Sequence, residues 1–327
     1  MGQPPPHHWH RSVWSTPAVG GLCHDDAVTT ASLHEIQKLL GEPYYKNDDV
    51  LLYHGDCRKY LEVLKQGPQI PLTITSPPYN IGKEYEKPLE LDAYLDWCES
   101  WLRDIWDVTA PDGALWLNLG YVPVPGQGKA IPLPYLLWNR LPFYVIQEVV
   151  WHYTAGVAAR HSLSPRNEKL LWCVKDPKNY CFNLDAIRDP DVKYPNQKKN
   201  GRVKVNPLGK NPSDVWIIPK VTSGRASAER TAHPAQFPMA LIERIMRGFS
   251  VEGDVVLDPF AGSGTVADVA MRTGRKSVGF ELREDYLQFT VDRLERTRHD
   301  MAARLPLPVD GQELIVLDER REGGSLA

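Results

Sequence analysis

Two short motifs, far apart in the chain, contain residue types that could carry out chemistry. The first is residues 75–79, Thr-Ser-Pro-Pro-Tyr, which follow an apolar run and should lie where a β-strand ends. Its two prolines remove two backbone donors and fix two φ angles, and the first pushes Ser76 towards an extended conformation. A stiff corner with a hydroxyl, free carbonyls and an aromatic face suits a planar group that bears an exocyclic amine. Taken alone, the motif would be interpreted as a surface turn stiffened by proline, and the functional interpretation depends on a second motif.

The second motif is residues 255–265, Val-Val-Leu-Asp-Pro-Phe-Ala-Gly-Ser-Gly-Thr, which predicts a strand, a glycine-containing loop and then a helix. Gly262 and Gly264 would let the backbone approach a ligand closely. Glu281 follows Asp258 by 23 residues, after a second apolar strand, where an acid can accept hydrogen bonds from ribose hydroxyls. The loop lacks both the dinucleotide fingerprint and the phosphate-binding Lys-Ser/Thr pair. A nucleoside ligand without phosphates, such as S-adenosylmethionine, fits better.

At these residues the chain resembles the amino-group DNA methyltransferases, which act on cytosine N4 or adenine N6. Residues 258–265 resemble the family's S-adenosylmethionine loop, and residues 75–79 resemble its catalytic loop. Residues 232–238, Ala-His-Pro-Ala-Gln-Phe-Pro, are similar to the segment that leads the last helix into the cofactor pocket. Residues 50–57 resemble a strand that ends in an acid near the cofactor's adenine. The catalytic loop precedes the cofactor loop, which is the order found in the family's β group.

The resemblance implies a role for each matching residue. The catalytic residues would be Ser76, Pro77, Pro78 and Tyr79. The S-adenosyl-L-methionine site would contain Asp56, Thr75, His233, Phe237, Asp258, Pro259, Phe260, Ala261, Gly262, Ser263, Gly264, Thr265 and Glu281. Residues 160–168 resemble the segment that lines the pocket for the target base, although a plain polar hairpin loop is an equal alternative.

Serine at position 76 resembles the cytosine-N4 enzymes, whereas Asp or Asn is usual there in adenine-N6 enzymes. Hydrogen bonds from the amine to Ser76 Oγ and the Pro77 carbonyl would favour the pyramidal, more nucleophilic form of the nitrogen. Tyr79 would stack on the base flipped out of the duplex. Methylation at cytosine C5 is disfavoured, because none of the five cysteines follows a proline. The alternatives are an adenine-N6 enzyme, an enzyme of this fold acting on RNA or protein, and a non-catalytic nucleic-acid-binding module.

Charge and composition indicate which partners to expect. The net charge of the 327 residues is −3, so a DNA-binding protein needs a local basic patch. Residues 193–230 supply one, with nine Lys or Arg and two acids. By resemblance this is the target-recognition region on double-stranded DNA, although alone it would read as a solvated loop. The residues expected on DNA are Lys198, Lys199, Arg202, Lys204, Lys210 and Arg225.

Other features predict a cytoplasmic protein without a membrane span or metal site. No apolar run approaches the roughly 18 residues of a membrane span, the N-terminus lacks the apolar region of a signal peptide, and the cysteines form no C-x-x-C pair. We expect a monomer or weak homodimer, with a restriction endonuclease as its functional counterpart.

Alternating strand and helix patterns, together with the resemblance, predict an α/β, Rossmann-like S-adenosylmethionine-dependent methyltransferase fold. We expect a mostly parallel seven-stranded sheet with an antiparallel edge hairpin formed by residues 144–153 and 169–174, and the strands of Thr75 and Asp258 side by side. The expected divisions are an N-terminal, partly disordered extension (1–45), a catalytic half (46–175), a target-recognition insert (176–231), a cofactor-binding half (232–300) and a C-terminal tail (301–327).

Overall fold

The structure is a computed structural model, and it describes residues 31–304 except for 155, 157 and 222–228. Arg225 and the greater parts of the expected terminal extensions, residues 1–30 and 305–327, lie outside the described residues. The division of the chain into five segments remains a prediction.

Strands and helices alternate through most of the described chain. The strands are β1 (Tyr45–Lys46), β2 (Val50–His54), β3 (Ile70–Thr75), β4 (Thr109–Leu119), β5 (Tyr121–Val124), β6 (Gly128–Pro132), β7 (Tyr144–His152), β8 (Asn167–Val174), β9 (Lys198–Lys199), β10 (Arg202–Val203), β11 (Val215–Ile217), β12 (Val255–Asp258) and β13 (Lys276–Glu281). The α-helices are α1 (Leu33–Leu40), α2 (Cys57–Leu64), α3 (Leu91–Val108), α4 (Leu133–Leu137), α5 (Met239–Phe249), α6 (Thr265–Arg272) and α7 (Glu284–Arg304). Short 3₁₀ turns occupy Trp138–Arg140 and Asp185–Ile187.

The central sheet has the strand order β1-β2-β13-β12-β3-β4-β8-β7-β11. The pairs from β2 to β4 are all parallel. This mostly parallel α/β architecture confirms the predicted fold class. The chain runs outward from β3 to β4 in one direction and from β12 to β13 in the other, so the strand order reverses between β3 and β12. Such a switch point opens a crevice at the carboxyl ends of the strands.

Helices cover both faces of this sheet, which explains why β3 and β12 are buried throughout rather than alternating. Leu257 belongs to the core on the face covered by α1 to α4. Its neighbour Val256 belongs to the core under α5 and α6, which also contains Leu72 and Ile74. Residues Val50 and Leu52 of β2 pack with α6 and α7. Within the described part of the chain, no helix is both long and apolar enough to cross a membrane.

The sheet has two more strands than predicted, and the expected edge hairpin is not at the edge. The hairpin of β7 and β8 is antiparallel, as predicted. However, β11 pairs with β7 in parallel and forms the outer strand, while β1 extends the opposite end. The cause is Trp216, which is only 4% exposed and stacks on Trp116 with ring centroids 5.5 Å apart. A segment with no sustained strand pattern thus joins the sheet by backbone pairing with β7, and the buried ring of Trp216 packs it against the core.

We expect Trp216→Ala to lower the free energy of unfolding by about 3–5 kcal/mol, because it removes a large buried aromatic side chain and leaves a cavity. Trp138→Ala is the matched control, since Trp138 is 48% exposed, and it should change stability by less than about 1 kcal/mol. Urea unfolding measures both. Equal, small effects would mean that β11 does not share the core.

Candidate active site

The two motifs predicted to carry the chemistry meet at the switch point of the sheet. Strand β12 pairs with β3 through Val256 opposite Leu72 and Leu257 opposite Thr73. Beyond these pairs, at the ends of the two strands, Thr75 Oγ1 donates a 2.8 Å hydrogen bond to Asp258 Oδ1. Both side chains are buried, at 0% and 2% exposure. The predicted adjacency of the two strands is confirmed, and the loops that follow them leave the sheet from neighbouring positions.

The glycine loop after β12 is folded back onto two carboxylates. Gly262 N donates to Glu281 Oε2 at 2.9 Å, and Phe260 N donates to Asp258 Oδ1 at 3.1 Å. Gly264 has φ +70°, and a Cβ there would lie 2.4 Å from Thr290 Cγ2. Only glycine can therefore occupy position 264 without moving α7. The loop is rigid and keeps its backbone close to the crevice.

Burial shifts the acid–base behaviour of both carboxyl groups. It raises the pKa of Asp258 to about 7, against the hydrogen bonds from Thr75 Oγ1 and Phe260 N, which lower it. The negative charge of Glu281 raises it further. Burial also raises the pKa of Glu281, opposed by backbone donors that include Gly262 N. A ligand that brings positive charge or hydroxyl donors to this crevice would stabilise both carboxylates.

The other residues expected at the cofactor surround this loop at different distances. His233 Nε2 lies 3.2 Å from the place a Cβ on Gly262 would occupy. Its ring stacks on Tyr85 and meets the edge of Tyr286, with centroids 5.9 and 4.3 Å apart. Burial lowers the pKa of His233 to about 4, so the imidazole is neutral at pH 7. An aromatic wall therefore stands beside the glycine loop.

The remaining loop residues are held by both side-chain and backbone contacts. Thr265 Oγ1 donates to the Phe237 carbonyl at 3.4 Å and lies 3.1 Å from Ser263 Oγ. Ala261 N donates to the Phe280 carbonyl, which fixes the loop against β13. The Phe260 ring packs on Trp101 at a centroid distance of 5.2 Å, and Pro259 lies between Asp258 and Phe260 in the chain. These residues shape the loop.

Asp56 lies beside the end of β13, on the opposite side of the glycine loop from the proline loop. Gly55 N donates to the Glu281 carbonyl at 2.8 Å, which places Asp56 near that strand end. The Asp56 carboxylate also caps α2 through Arg58 N and pairs with the Arg58 guanidinium at 2.6 Å. It borders a cavity of about 320 Å³ that is also lined by Tyr60 and Leu39. The structure thus brings Asp56 near Glu281, although the Asp56 carboxylate already forms an ion pair with Arg58.

The proline loop after β3 places its side chains against the ends of β4 and β8. Ser76 Oγ and Tyr79 OH are 2.7 Å apart and hydrogen-bonded. Tyr94 OH, from α3, donates to the Pro78 carbonyl at 2.7 Å and holds the corner. Ser76 and Tyr79 are partly buried, whereas Pro77 between them is buried.

Two further residues complete a polar group here, the acceptor cluster of Ser76, Tyr79, Asn118 and Glu168. Asn118 was not assigned from the sequence, and Glu168 is the last residue of segment 160–168, whose resemblance to the pocket lining named no single residue. Asn118 Nδ2 donates to Glu168 Oε2 at 2.7 Å and to Tyr79 OH at 2.8 Å. Tyr79 OH donates to Glu168 Oε2 at 3.1 Å. One signal could have identified Asn118: it is the polar residue in the apolar run Ala-Leu-Trp-Leu-Asn-Leu, near the carboxyl end of a parallel strand.

The basic segment forms an exposed surface. Lys198 and Lys199 (β9) pair with β10, which contains Arg202, and all three residues are exposed. The backbone N–H of Lys204 donates to the Gln197 carbonyl at 2.8 Å. Lys210 pairs with Asp189 at 3.2 Å, which neutralises part of its charge.

Lys220, one residue of the basic segment, lies near the acceptor cluster. Burial raises the pKa of the Glu168 carboxyl group, and the positive charge of Lys220 is close enough to oppose part of this shift. The segment therefore connects an exposed basic surface with the polar group behind the proline loop. Within the described residues, no group of acids, histidines and cysteines is arranged to hold a metal ion.

Comparison with known proteins gives this arrangement a family context. A family model described as DNA methylase matches residues 70–292. The type II methyltransferase M.ScaI from Streptomyces caespitosus is 63% identical over 267 residues, which cover 80% of this chain and 87% of that protein.

Two solved structures have a similar fold. The cytosine-N4-specific PvuII DNA methyltransferase matches with a TM-score of 0.61 and 22% identity, over 79% of this chain and 93% of that one. A protein from Thermus thermophilus, provisionally assigned as a DNA modification methylase and solved with S-adenosyl-L-methionine, matches with a TM-score of 0.50 and 25% identity. That match covers 75% of this chain and 93% of the other.

The raised pKa of Asp258 predicts a specific pH dependence of stability in the absence of ligand. In the folded state the Asp258 carboxyl group keeps its proton up to about pH 7, whereas in the unfolded chain its pKa is 3.8. The contribution of Asp258 to the free energy of unfolding is therefore fully present below about pH 4 and is lost as pH rises through about 7. Between about pH 5 and 8, wild type should lose about 2–3 kcal/mol more unfolding free energy than Asp258→Asn, at about 1.36 kcal/mol per unit. Urea unfolding at both pH values measures this difference, and parallel curves for the two proteins would contradict it.

Proposed function

Since this chain belongs to the amino-group DNA methylase family, whose cofactor is S-adenosyl-L-methionine, we propose that it methylates the N4 amino group of cytosine in double-stranded DNA. The observation that supports this most is the hydrogen bond between Thr75 and Asp258. It ties the first residue of the proline loop to the strand that carries the glycine loop. An amine held at Ser76 would therefore lie next to a cofactor held at the glycine loop.

The crevice has the donor and acceptor groups that this cofactor requires. When bound, the cofactor supplies a methyl group on a positively charged sulfur. The buried carboxylate of Asp258 and the partly buried carboxylate of Glu281 would stabilise positive charge and accept hydrogen bonds from ribose hydroxyls. Gly262 and Gly264 have positive φ angles, +50° and +70°, which glycine adopts without strain. We assign the methionine side to the loop of residues 258–265, the ribose to Glu281 and the adenine to the region of Asp56.

The proline loop would orient the target amine for direct displacement. Ser76 Oγ and the Pro77 carbonyl accept hydrogen bonds from the two N–H groups of the amine, which leaves its lone pair directed at the methyl group. These acceptors help most in the transition state, where positive charge develops on the nitrogen. The Tyr79 ring holds the flipped base by stacking, which is worth roughly 1–3 kcal/mol. The nucleophile is the amine itself, so no enzyme side chain forms a bond to the base.

The choice of cytosine depends on Ser76. A serine hydroxyl before the proline pair resembles the cytosine-N4 enzymes, and it brings an acceptor without adding a charge next to the base. Adenine N6 is the second candidate, because the matched family covers both N6 and N4 methylation. The chemistry at the loop would be the same for either amine.

The basic segment would hold the duplex. Lys198, Lys199 and Arg202 lie on an exposed hairpin, where lysine and arginine can contact phosphates. Arg225 is expected to join them. The name type II methyltransferase, carried by the relative M.ScaI, supports a place in a restriction–modification system and hence an endonuclease with the same target.

Glu281→Ala should weaken S-adenosylmethionine binding at least tenfold. Charged hydrogen bonds to two hydroxyls are worth about 1.5–3 kcal/mol, at about 1.4 kcal/mol per decade of affinity, and Gly262 N loses its partner as well. Glu284→Ala, an exposed carboxylate three residues along, is the control and should bind normally. Isothermal titration calorimetry compares the three proteins. Wild-type affinity in a folded Glu281→Ala variant would reject the ribose assignment.

Product analysis tests the proposed reaction directly. Unmethylated duplex DNA is incubated with the enzyme and methyl-labelled cofactor, and the digested nucleosides are identified by mass spectrometry. We expect N4-methylcytosine. N6-methyladenine would overturn the choice of base, and a duplex left unmodified across many sequences would overturn the proposed activity.

Ser76→Ala should lower the single-turnover rate by about fivefold or more, because the lost hydrogen bond alone is worth about 1 kcal/mol, and it should leave DNA affinity nearly unchanged. Ser100→Ala, on the exposed side of α3, should turn over like wild type. An unaffected rate in Ser76→Ala would show that its hydroxyl does not contact the amine.

A further inference from the structure

The acceptor cluster contains a carboxylate that the proposed reaction has not yet used. Glu168 Oε2 receives hydrogen bonds from Asn118 Nδ2 at 2.7 Å and from Tyr79 OH at 3.1 Å. The Tyr79 hydroxyl lies in turn 2.7 Å from Ser76 Oγ. A continuous chain of hydrogen bonds therefore runs from the serine proposed to hold the amine to a carboxylate on β8.

Methyl transfer to an amine releases a proton that must go somewhere. We propose that Glu168 is the final acceptor of this proton, which reaches it along the hydroxyl groups of Ser76 and Tyr79. This inference rests on the proposed placement of the amine at Ser76. As the nitrogen–carbon bond forms and the sulfur–carbon bond breaks, the amine becomes cationic. It gives a proton to Ser76 Oγ, Ser76 gives its own to Tyr79 OH, and Tyr79 gives its own to Glu168.

Asn118 positions the other residues of this hydrogen-bonded path. It is 2% exposed, and its amide contacts three members of the cluster, with Ser76 Oγ at 3.4 Å. Among the described residues, no donor reaches its buried Oδ1. An amide cannot take up the proton, so the carboxylate of Glu168 is the proton acceptor of the cluster.

The surroundings of Glu168 determine when it can accept. Burial raises its pKa, while the donors Asn118 and Tyr79 and the nearby Lys220 ammonium lower it. The tyrosines 79, 85 and 153 are the other titratable groups that face it. Only the carboxylate form accepts a proton. The rate should therefore rise with pH through the pKa of Glu168, at a pH above the usual range for a glutamate.

The test is the pH profile of the single-turnover methylation rate on duplex DNA with saturating cofactor. Glu168→Gln should lower the rate roughly a hundredfold, within the range of about 10²–10⁴ for a general base, and remove the acid limb of the profile. Glu148→Gln makes the same change on the neighbouring strand β7, where Glu148 pairs with Lys169 at 3.1 Å, and should keep both rate and profile. Cofactor affinity, measured by calorimetry, should be unchanged in both.

Tyr79→Phe tests the route without relying on Glu168→Gln to fold. This variant retains the stacking ring and removes the hydroxyl, so its methylation rate should fall about as much as that of Glu168→Gln. The double variant should be no slower than the slower single variant, because both interrupt one path. A wild-type rate and profile in a folded Glu168→Gln would overturn the proposal, and a wild-type rate in Tyr79→Phe would overturn the route.

The identity of the wild-type product separates this proposal from the proposed function. If wild type makes N6-methyladenine, the choice of cytosine fails, and the same variants still test Glu168, because that amine also loses a proton. If wild type makes N4-methylcytosine while Glu168→Gln retains the wild-type profile, the proton acceptor alone is wrong.

Discussion

The hydrogen bond between Thr75 Oγ1 and Asp258 Oδ1 is the contact on which the arrangement of the site depends. It joins two strands whose residues are 183 positions apart in the chain. A buried carboxyl group without partners would be costly, and here the same oxygen also receives Phe260 N. The carboxyl group thus fixes the end of β3, the end of β12 and the first turn of the glycine loop. The proline loop begins at Thr75, whose side chain is hydrogen-bonded to Asp258. The position of the proline loop therefore depends on the position of the glycine loop.

Local patterns in the sequence predicted the parts that depend on local chemistry. The apolar runs of β3 and β12, the turn-forming glycines and the stiff proline pair each have a signal within a few residues, and the structure places them as expected. Glu168 was different. It reaches Asn118 only because β8 runs antiparallel to β4, with Leu170 opposite Asn118. That register is set by the whole hairpin, so a polar segment could be recognised but not the residue within it that enters the site. Trp216 was not predicted for a related reason: its strand β11 has only three residues, which are too few to show the alternating pattern of a strand.

Two kinds of rigidity support the two halves of the site. The glycine loop is fixed by backbone donors that point to the carboxylates of Asp258 and Glu281, so its shape and its electrostatics come from the same groups. The proline loop is fixed by side chains: Tyr94 holds the Pro78 carbonyl, and Asn118 holds Tyr79. The basic hairpin of β9 and β10 pairs only with itself in the described sheets and is exposed. The ordered sheet thus holds the groups proposed for chemistry, and the surface proposed for DNA lies outside it.

The position of β13 has a consequence for synthesis of the chain. This strand, completed only at Glu281, lies between β2 and β12 in the finished sheet. Until it leaves the ribosome, β2 has no parallel neighbour, and before β12 emerges β3 has an open edge on the side that β12 will cover. Unpaired edges of apolar strands invite pairing with other chains. During synthesis β2 and β3 therefore each have one unpaired edge until the strands near the end of the described chain emerge. The last of these strands, β13, closes the sheet.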